Sequence, residues 1–432
     1  MPAPNPLPNA GGGTRATPGG GGRVLFILLI AYIFNFIDRQ IIGVLAVPIK
    51  AELALSDQQL GLMGGIAFAL FYSGLAIPIA WLADRKSRVN IIAVSVALWS
   101  GFTALCGFAQ NFWHLFLARM GVGIGEAGGV APSYALISDF YPREKRARAL
   151  AIFSLGIPIG SALGVFFGGW IASHLDWRSA FIIVGLAGLP AAMLVKLFVR
   201  EPVRGGYDSP DGAAADPAPP FLVVVKRLAR TPSFWLLSFG AASGSILGYG
   251  LIFWLPSFFG RSFGLSLEEV GWFYGSIVLV GGVAGTLLGG WIGDRTGRSD
   301  PGAYARIPAI CFLIAAPLFA FGLFAKSLWV GWILFATGQM LALAWLGPII
   351  AAIQHIVAPN MRATASACLL FINNLIGIGF GIFFLGFMSD RMAAAYGQDS
   401  LKYSILYGLG FYVLSAAIYF VASRRLKKDW VG

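Results

Sequence analysis

An all-α polytopic membrane protein, with twelve transmembrane helices in two pseudo-symmetric six-helix bundles, is the fold class this sequence predicts, on three observations. Hydrophobic residues make up 57% of the 432-residue chain and charged residues only 12%, a balance outside the range of soluble domains. The apolar residues come in continuous runs of spanning length, about 20 residues, rather than in the short alternating strands of a membrane barrel. The stretch AWLADRKSR at 80–88 returns as GWIGDRTGR at 290–298, which marks two parallel halves related by an axis along the membrane normal.

Residues 1–22 are rich in Pro, Gly, Ala and Asn, with Arg15 as the only charge. They are too poor in apolar surface to fold and lack the apolar core of a signal peptide, so a disordered cytoplasmic tail is expected. Spans follow at about 24–49, 59–82, 89–110, 112–138, 148–172 and 177–199, making a first bundle of residues 23–200. Residues 201–232 read as a cytoplasmic linker, in which FLVVVKRLAR (221–230) forms a short amphipathic helix with Lys226, Arg227 and Arg230 toward lipid headgroups. Spans at 233–259, 268–292, 304–325, 328–356, 364–388 and 402–422 make a second bundle of residues 233–423, before a basic cytoplasmic tail, 424–432.

The net charge of +12 falls at the ends of apolar runs, which is a topology signal and not a nucleic-acid footprint. One side of the membrane, holding both termini, receives 22 Lys and Arg against 6 on the other, so both termini are expected in the cytoplasm of a cell with this protein in its inner membrane. Cys106, Cys311 and Cys368 have neither metal nor disulfide spacing, and His114, His174 and His355 are scattered at span ends. No nucleophile and base pattern, phosphate loop or metal motif appears, so neither an enzyme nor a cofactor is expected.

Charges inside the spans are the anomaly. In LFLARMGVGIGEAGGVAPSYALIS (115–138), Arg119 and Glu126 lie seven residues apart, on one helix face and about 10 Å apart along its axis. A lipid-facing pair would be expensive, so this face is expected to look into the protein interior or a wet cavity. Glycines at 121, 123, 125, 128 and 129 leave room for close helix approach or a vestibule. Asp38 and Arg39 sit deep in the first span, and Asn35 shares their strip at i−3 and i−4. The second half offers only neutral polar candidates at depth: Ser243, Ser245, Tyr249, Gln339, Asn373 and Asn374. At the cytoplasmic span ends, Asp84 with Arg85 and Arg88, and Asp294 with Arg295 and Arg298, are candidates for a latch.

The two repeated loops, Arg119-x3-Gly123-x3-Ala127 in the fourth span, and Gly156-Ile-Pro158-Ile-Gly160 with Gly164, Gly168 and Gly169 in the fifth resemble motifs of the major facilitator superfamily. NFIDRQIIGVL (35–45) and ARMGVGIGEAG (118–128) resemble its spinster branch, whose known members carry lysolipids and sphingolipids. Ala80 and Ser87 stand where the superfamily loop commonly has glycine, and Gln40 stands where eukaryotic spinster proteins have Tyr. The resemblance implies the major facilitator fold and a secondary active transporter working by alternating access.

On this reading Asp38 and Glu126 exchange protons or partners as a cavity opens to each side, a carboxylate taking a proton when desolvated and losing it when water or an arginine returns. Arg39 and Arg119 pair alternately with them or with an anionic headgroup, while Asn35, Tyr249, Asn373 and Asn374 complete the substrate network. The expected partners are the bilayer and an amphipathic lipid-like substrate, with no nucleic acid, and the expected state is a monomer. The alternatives are a static pair of ion pairs that fixes helix register, a proton-driven multidrug exporter or organic-anion symporter, and a non-transporting scaffold or receptor.

Overall fold

Long apolar runs leave their backbone N–H and C=O groups no partner but one another, and the helix is the structure that satisfies them within a single segment. The computed structural model describes residues 20–83, 85–202, 219–297 and 300–431, and its elements among these residues are helices. Ten helical runs among them are long and apolar enough to cross a membrane, the first Gly20–Val44 and the last Thr364–Asp429. The chain is thus an all-α polytopic membrane protein.

Differences from the sequence reading occur at the ends. The first helix begins at Gly20, so Gly20, Gly21 and Gly22 belong to it; the rest of the expected tail lies outside the described residues. The linker keeps its amphipathic helix, Phe221–Ala229. The last helix, Gly410–Asp429, runs on through most of the stretch read as a basic tail. The run Thr364–Asp429 is interrupted at Gly397, whose φ of 54° suits a residue without a Cβ. Beyond it, Ser400–Gly408 packs back on Gly381–Tyr396.

The stretch 112–140 is divided into Phe112–Glu126 and Val130–Phe140. Asn111 caps the first by accepting the His114 amide at 3.0 Å, and Glu126 is its last residue. Pro132, which has no N–H to give, falls in the first turn of the second, where none is needed.

Gly20–Val44 packs along Gly156–His174 and against Pro232–Phe263, and Gly156–His174 packs along Leu267–Gly297. The glycines of the fifth span serve this contact. A Cβ on Gly160 would lie 2.4 Å from the Ile33 carbonyl oxygen, so the two backbones touch without intervening side chains. Gly160→Val is therefore expected to destabilise the protein by about 3 kcal/mol through overpacking. A wild-type unfolding midpoint for this variant would contradict the packing.

Two π-helical segments, Leu62–Ile66 and Leu375–Phe380, interrupt the spans that contain them and lie against each other. A Cβ on Gly65 would meet the Gly379 carbonyl oxygen at 2.8 Å. Each π-turn rotates the residues that follow it relative to a regular α-helix, and such turns concentrate at functional sites. Phe68 and Tyr72 follow the first, and Asn373 and Asn374 precede the second.

Candidate functional site

The interior charges come together where Gly20–Val44 meets Phe112–Glu126. Arg39 Nε donates to Glu126 Oε2 at 2.5 Å, joining the first helix to the second across 87 residues of sequence. Arg119 exerts a favourable charge on Asp38 without a direct hydrogen bond to it. Each helix therefore contributes one acid and one base, with Glu126 in contact with Arg39 and Asp38 in the field of Arg119. Glycines seat Phe112–Glu126 against its other neighbours: a Cβ on Gly123 would lie 2.7 Å from the Phe68 carbonyl oxygen, and one on Gly125 2.5 Å from the Trp99 amide nitrogen.

Burial separates the four charges. Asp38 and Glu126 are wholly buried and Arg119 almost so, whereas the Arg39 side chain keeps 14% of its exposure. Both Asp38 carboxylate oxygens, Glu126 Oε1, and Arg119 Nε and Nη1 have no hydrogen-bond partner among the described residues. Asn35, the Asp38 neighbour Thr103, and Trp99 Nε1 have buried polar atoms in the same condition. An interior with this many unsatisfied polar atoms carries a free-energy cost that better-paired arrangements would relieve.

Aromatic rings surround the arginines. The Arg39 guanidinium lies 4.5 Å from the Tyr72 ring centre and 5.0 Å from those of Phe36 and Phe68, and that of Arg119 lies 5.5 Å from Phe68. Ring faces of this kind hold a cation without neutralising it. Arg39 can therefore pair with Glu126 and still offer charge toward the space it borders.

The second half meets this cluster with neutral groups. Tyr249 lies close enough to Arg39 to interact electrostatically, and its hydroxyl donates to Asn374 Oδ1 at 3.3 Å. Asn373 Nδ2 donates to the same oxygen at 3.2 Å, and Ser245 donates to Asn373 Oδ1 at 2.7 Å. The Asn pair thus forms a chain that presents Tyr249 toward the charged side. Ser243 and Gln339 lie elsewhere: Ser243 donates to the Phe411 carbonyl oxygen, and Gln339 lies against Gly281.

At one end of the helices, sequence reading missed an interhalf ion cluster. Asp57 is buried, and its carboxylate accepts two hydrogen bonds of 2.7 Å from the Arg261 guanidinium, one of 2.6 Å from Lys50 and one of 2.7 Å from Ser389. Asp390 in turn accepts the Asp57 and Gln58 amides at 3.1 and 2.7 Å, satisfying donors that the start of Asp57–Gly61 leaves open. Lys50 and Arg261 stand in sequence only as loop charges, and Asp57 only as a residue beside the Ser56 and Gln59 capping box.

At the opposite end, Arg88 donates to Glu201 Oε1 at 2.8 Å and reaches Asp139 Oδ2 at 2.6 Å. The Ser87 hydroxyl and the Val89 amide also donate to Glu201. Arg88 therefore binds acids that the sequence does not place near it. Arg85 lies over the Trp81 ring and Arg295 over that of Trp291, each four residues from its ring. Asp84, Arg298 and the Asp294 side chain lie outside the described residues.

The sequence profile described as Major Facilitator Superfamily matches residues 28–382. The chain belongs to the major facilitator superfamily. Among its members, the chain is 34% identical to an MFS-type efflux pump of Mycolicibacterium smegmatis over 93% of its own length and 92% of the relative's. It is 30% identical to protein spinster homolog 1 of Mus musculus, over 88% and 76% of the two lengths. The crystal structure of a bacterial homolog to the human lysosomal transporter spinster, inward-facing and unoccupied, matches with a TM-score of 0.86 at 33% identity, covering 96% and 99% of the two chains. Its inward-facing and occupied form matches with a TM-score of 0.83. This facilitator is a spinster-like membrane transporter rather than an enzyme, and among its described residues none group as a metal site.

Proposed function

We propose that this facilitator is a proton-coupled secondary active transporter that moves amphipathic, lysolipid-like or sphingolipid-like molecules by alternating access. The observation that carries the reading is the ion pair of Glu126 with Arg39 beside a second buried carboxylate, Asp38, both acids sealed from water next to an arginine that keeps contact with it. Ionised Glu126 holds Arg39, the arrangement seen here with both carboxylates buried. When the cavity closes, protonation of a carboxylate frees Arg39 for the anionic group of the substrate. Tyr249 and the Asn373–Asn374 pair hydrogen-bond the headgroup from the other half, and apolar walls take the alkyl chain.

Twelve spans in two bundles are the architecture behind this cycle: the stretch 112–140 joins the ten long helical runs as one span, and Gly397 divides the run Thr364–Asp429 into two. The bundles comprise residues 23–200 and 233–423, joined by the linker 201–232, in a monomer with both termini cytoplasmic in the cell inner membrane. The Asp57 cluster is then the outer latch, and the Arg88 cluster braces the cytoplasmic ends of the first bundle. A proton-driven exporter of amphipathic drugs is the second reading, favoured by the likeness to the mycobacterial efflux pump.

A ligand panel on the purified protein separates the two. Lysolipids and sphingosine phosphate are expected to raise its unfolding temperature, and small carboxylates are not. Stabilisation by cationic drugs alone would favour the exporter and count against the lipid reading.

A further inference from the structure

We infer that a cavity between the linker helix Phe221–Ala229 and the end of the helix Gly410–Asp429 binds the phosphate headgroup of an anionic phospholipid, as a site separate from the transport pathway. The cavity has a volume of about 180 Å³, and three cations line it: Arg227, Arg230 and Lys428. All three are exposed. Asp429, the one acid among the described lining residues, turns its Oδ2 to the Ser233 amide at 3.1 Å, where it serves the start of the helix Pro232–Phe263. The cations therefore share a concave site with no carboxylate committed to them within it, an arrangement suited to a phosphate dianion or diester.

The wall is held in shape by Trp430. Its ring stacks on His355 at 4.5 Å and on Tyr304 at 5.7 Å, and the next residue, Val431, donates its amide to the His355 carbonyl oxygen at 2.9 Å. This docks the chain end and positions Lys428 opposite the linker arginines.

The linker helix points to a lipid rather than free phosphate. Its apolar arc is wider than the protein covers: Val224 and Leu228 are buried, while Phe221 and Leu222 at its start are 52% and 68% exposed. Its polar arc carries Lys226 and Arg227, and Arg230 follows as the residue that caps it. A helix with one apolar flank uncovered and cations beside it lies at the boundary between headgroups and acyl chains, which places the cavity at the depth of lipid phosphate.

The test is native mass spectrometry of the full-length protein released from membranes of phosphatidylglycerol and phosphatidylethanolamine at equal concentration. Wild-type protein is expected to retain phosphatidylglycerol preferentially. Arg227→Gln with Arg230→Gln should lower that retention by about fivefold per arginine, while Lys145→Gln with Arg148→Gln, on exposed cations elsewhere, should leave it unchanged. If the double arginine variant fails to fold, Lys428→Gln alone should give a drop of the same order as one arginine. Equal retention in the cavity variants, equal loss in the control, or protection of the cavity by inorganic phosphate as well as by the lipid would each overturn the inference. Transport need not change in any of these, so the outcome is independent of the proposed substrate and coupling.

Discussion

Replacing Glu126 with Gln is expected to abolish proton-driven transport while the protein remains folded and monodisperse. Glutamine keeps the volume and an acceptor for Arg39 but removes the charge that meets Arg39 Nε at 2.5 Å. Removing one member of a buried ion pair costs about 3–5 kcal/mol. The remaining exposure of Arg39 and its three nearby rings place this case at the low end. A change of about 3 kcal/mol moves the balance between two conformers by about two orders of magnitude. Asp38→Asn provides the contrast, because the Asp38 oxygens have no hydrogen-bond partner here. Its unfolding midpoint should fall less than that of Glu126→Gln, because it weakens the charge facing Arg119 without breaking a direct hydrogen bond, while flux is lost as completely. Flux assays paired with thermal unfolding check both, and wild-type flux in either variant would contradict the assignment.

Neutralising Asp57 opens the end of the molecule that its cluster now fastens. Asp57→Asn leaves Arg261 and Lys50 side by side without the carboxylate that both contact, and two cations so placed repel. The expected loss of about 3 kcal/mol shifts the population toward a form open at this end by about two orders of magnitude. Spin labels at Val47 and Tyr396, exposed residues of the two halves toward this end, report the change in a background lacking Cys106, Cys311 and Cys368. Distances should lengthen in Asp57→Asn. Distances unchanged from wild type would show that the cluster does not hold the halves together.

Much of this molecule is written in local composition. Apolar runs mark the helices, since a membrane offers their backbone no other partner. The cost of charge in lipid marks Asp38, Arg39, Arg119 and Glu126 as interior, and all four face inward. What local reading misses is pairing. Arg39 and Glu126 are 87 positions apart, and Arg261 and Asp57 are 204 apart, so no periodicity connects them. Asp57, Lys50 and Arg261 also lie at span ends, where a charge costs little and attracts no notice. The π-helical segments are illegible for a related reason: LMGGI and LIGIGF are compatible with an ordinary helix, and contact between the two chain segments accompanies the extra residue in each turn.

The central claim is that Asp38 and Glu126 carry the coupled proton. Liposomes loaded with a pH-sensitive dye and given a lysolipid gradient without an imposed pH difference test it most directly. Wild-type protein should acidify or alkalinise the lumen in step with lysolipid movement, and the combined Asp38→Asn and Glu126→Gln protein should show no proton movement above empty liposomes. Lysolipid-driven proton movement of wild-type size in the combined variant would contradict the account.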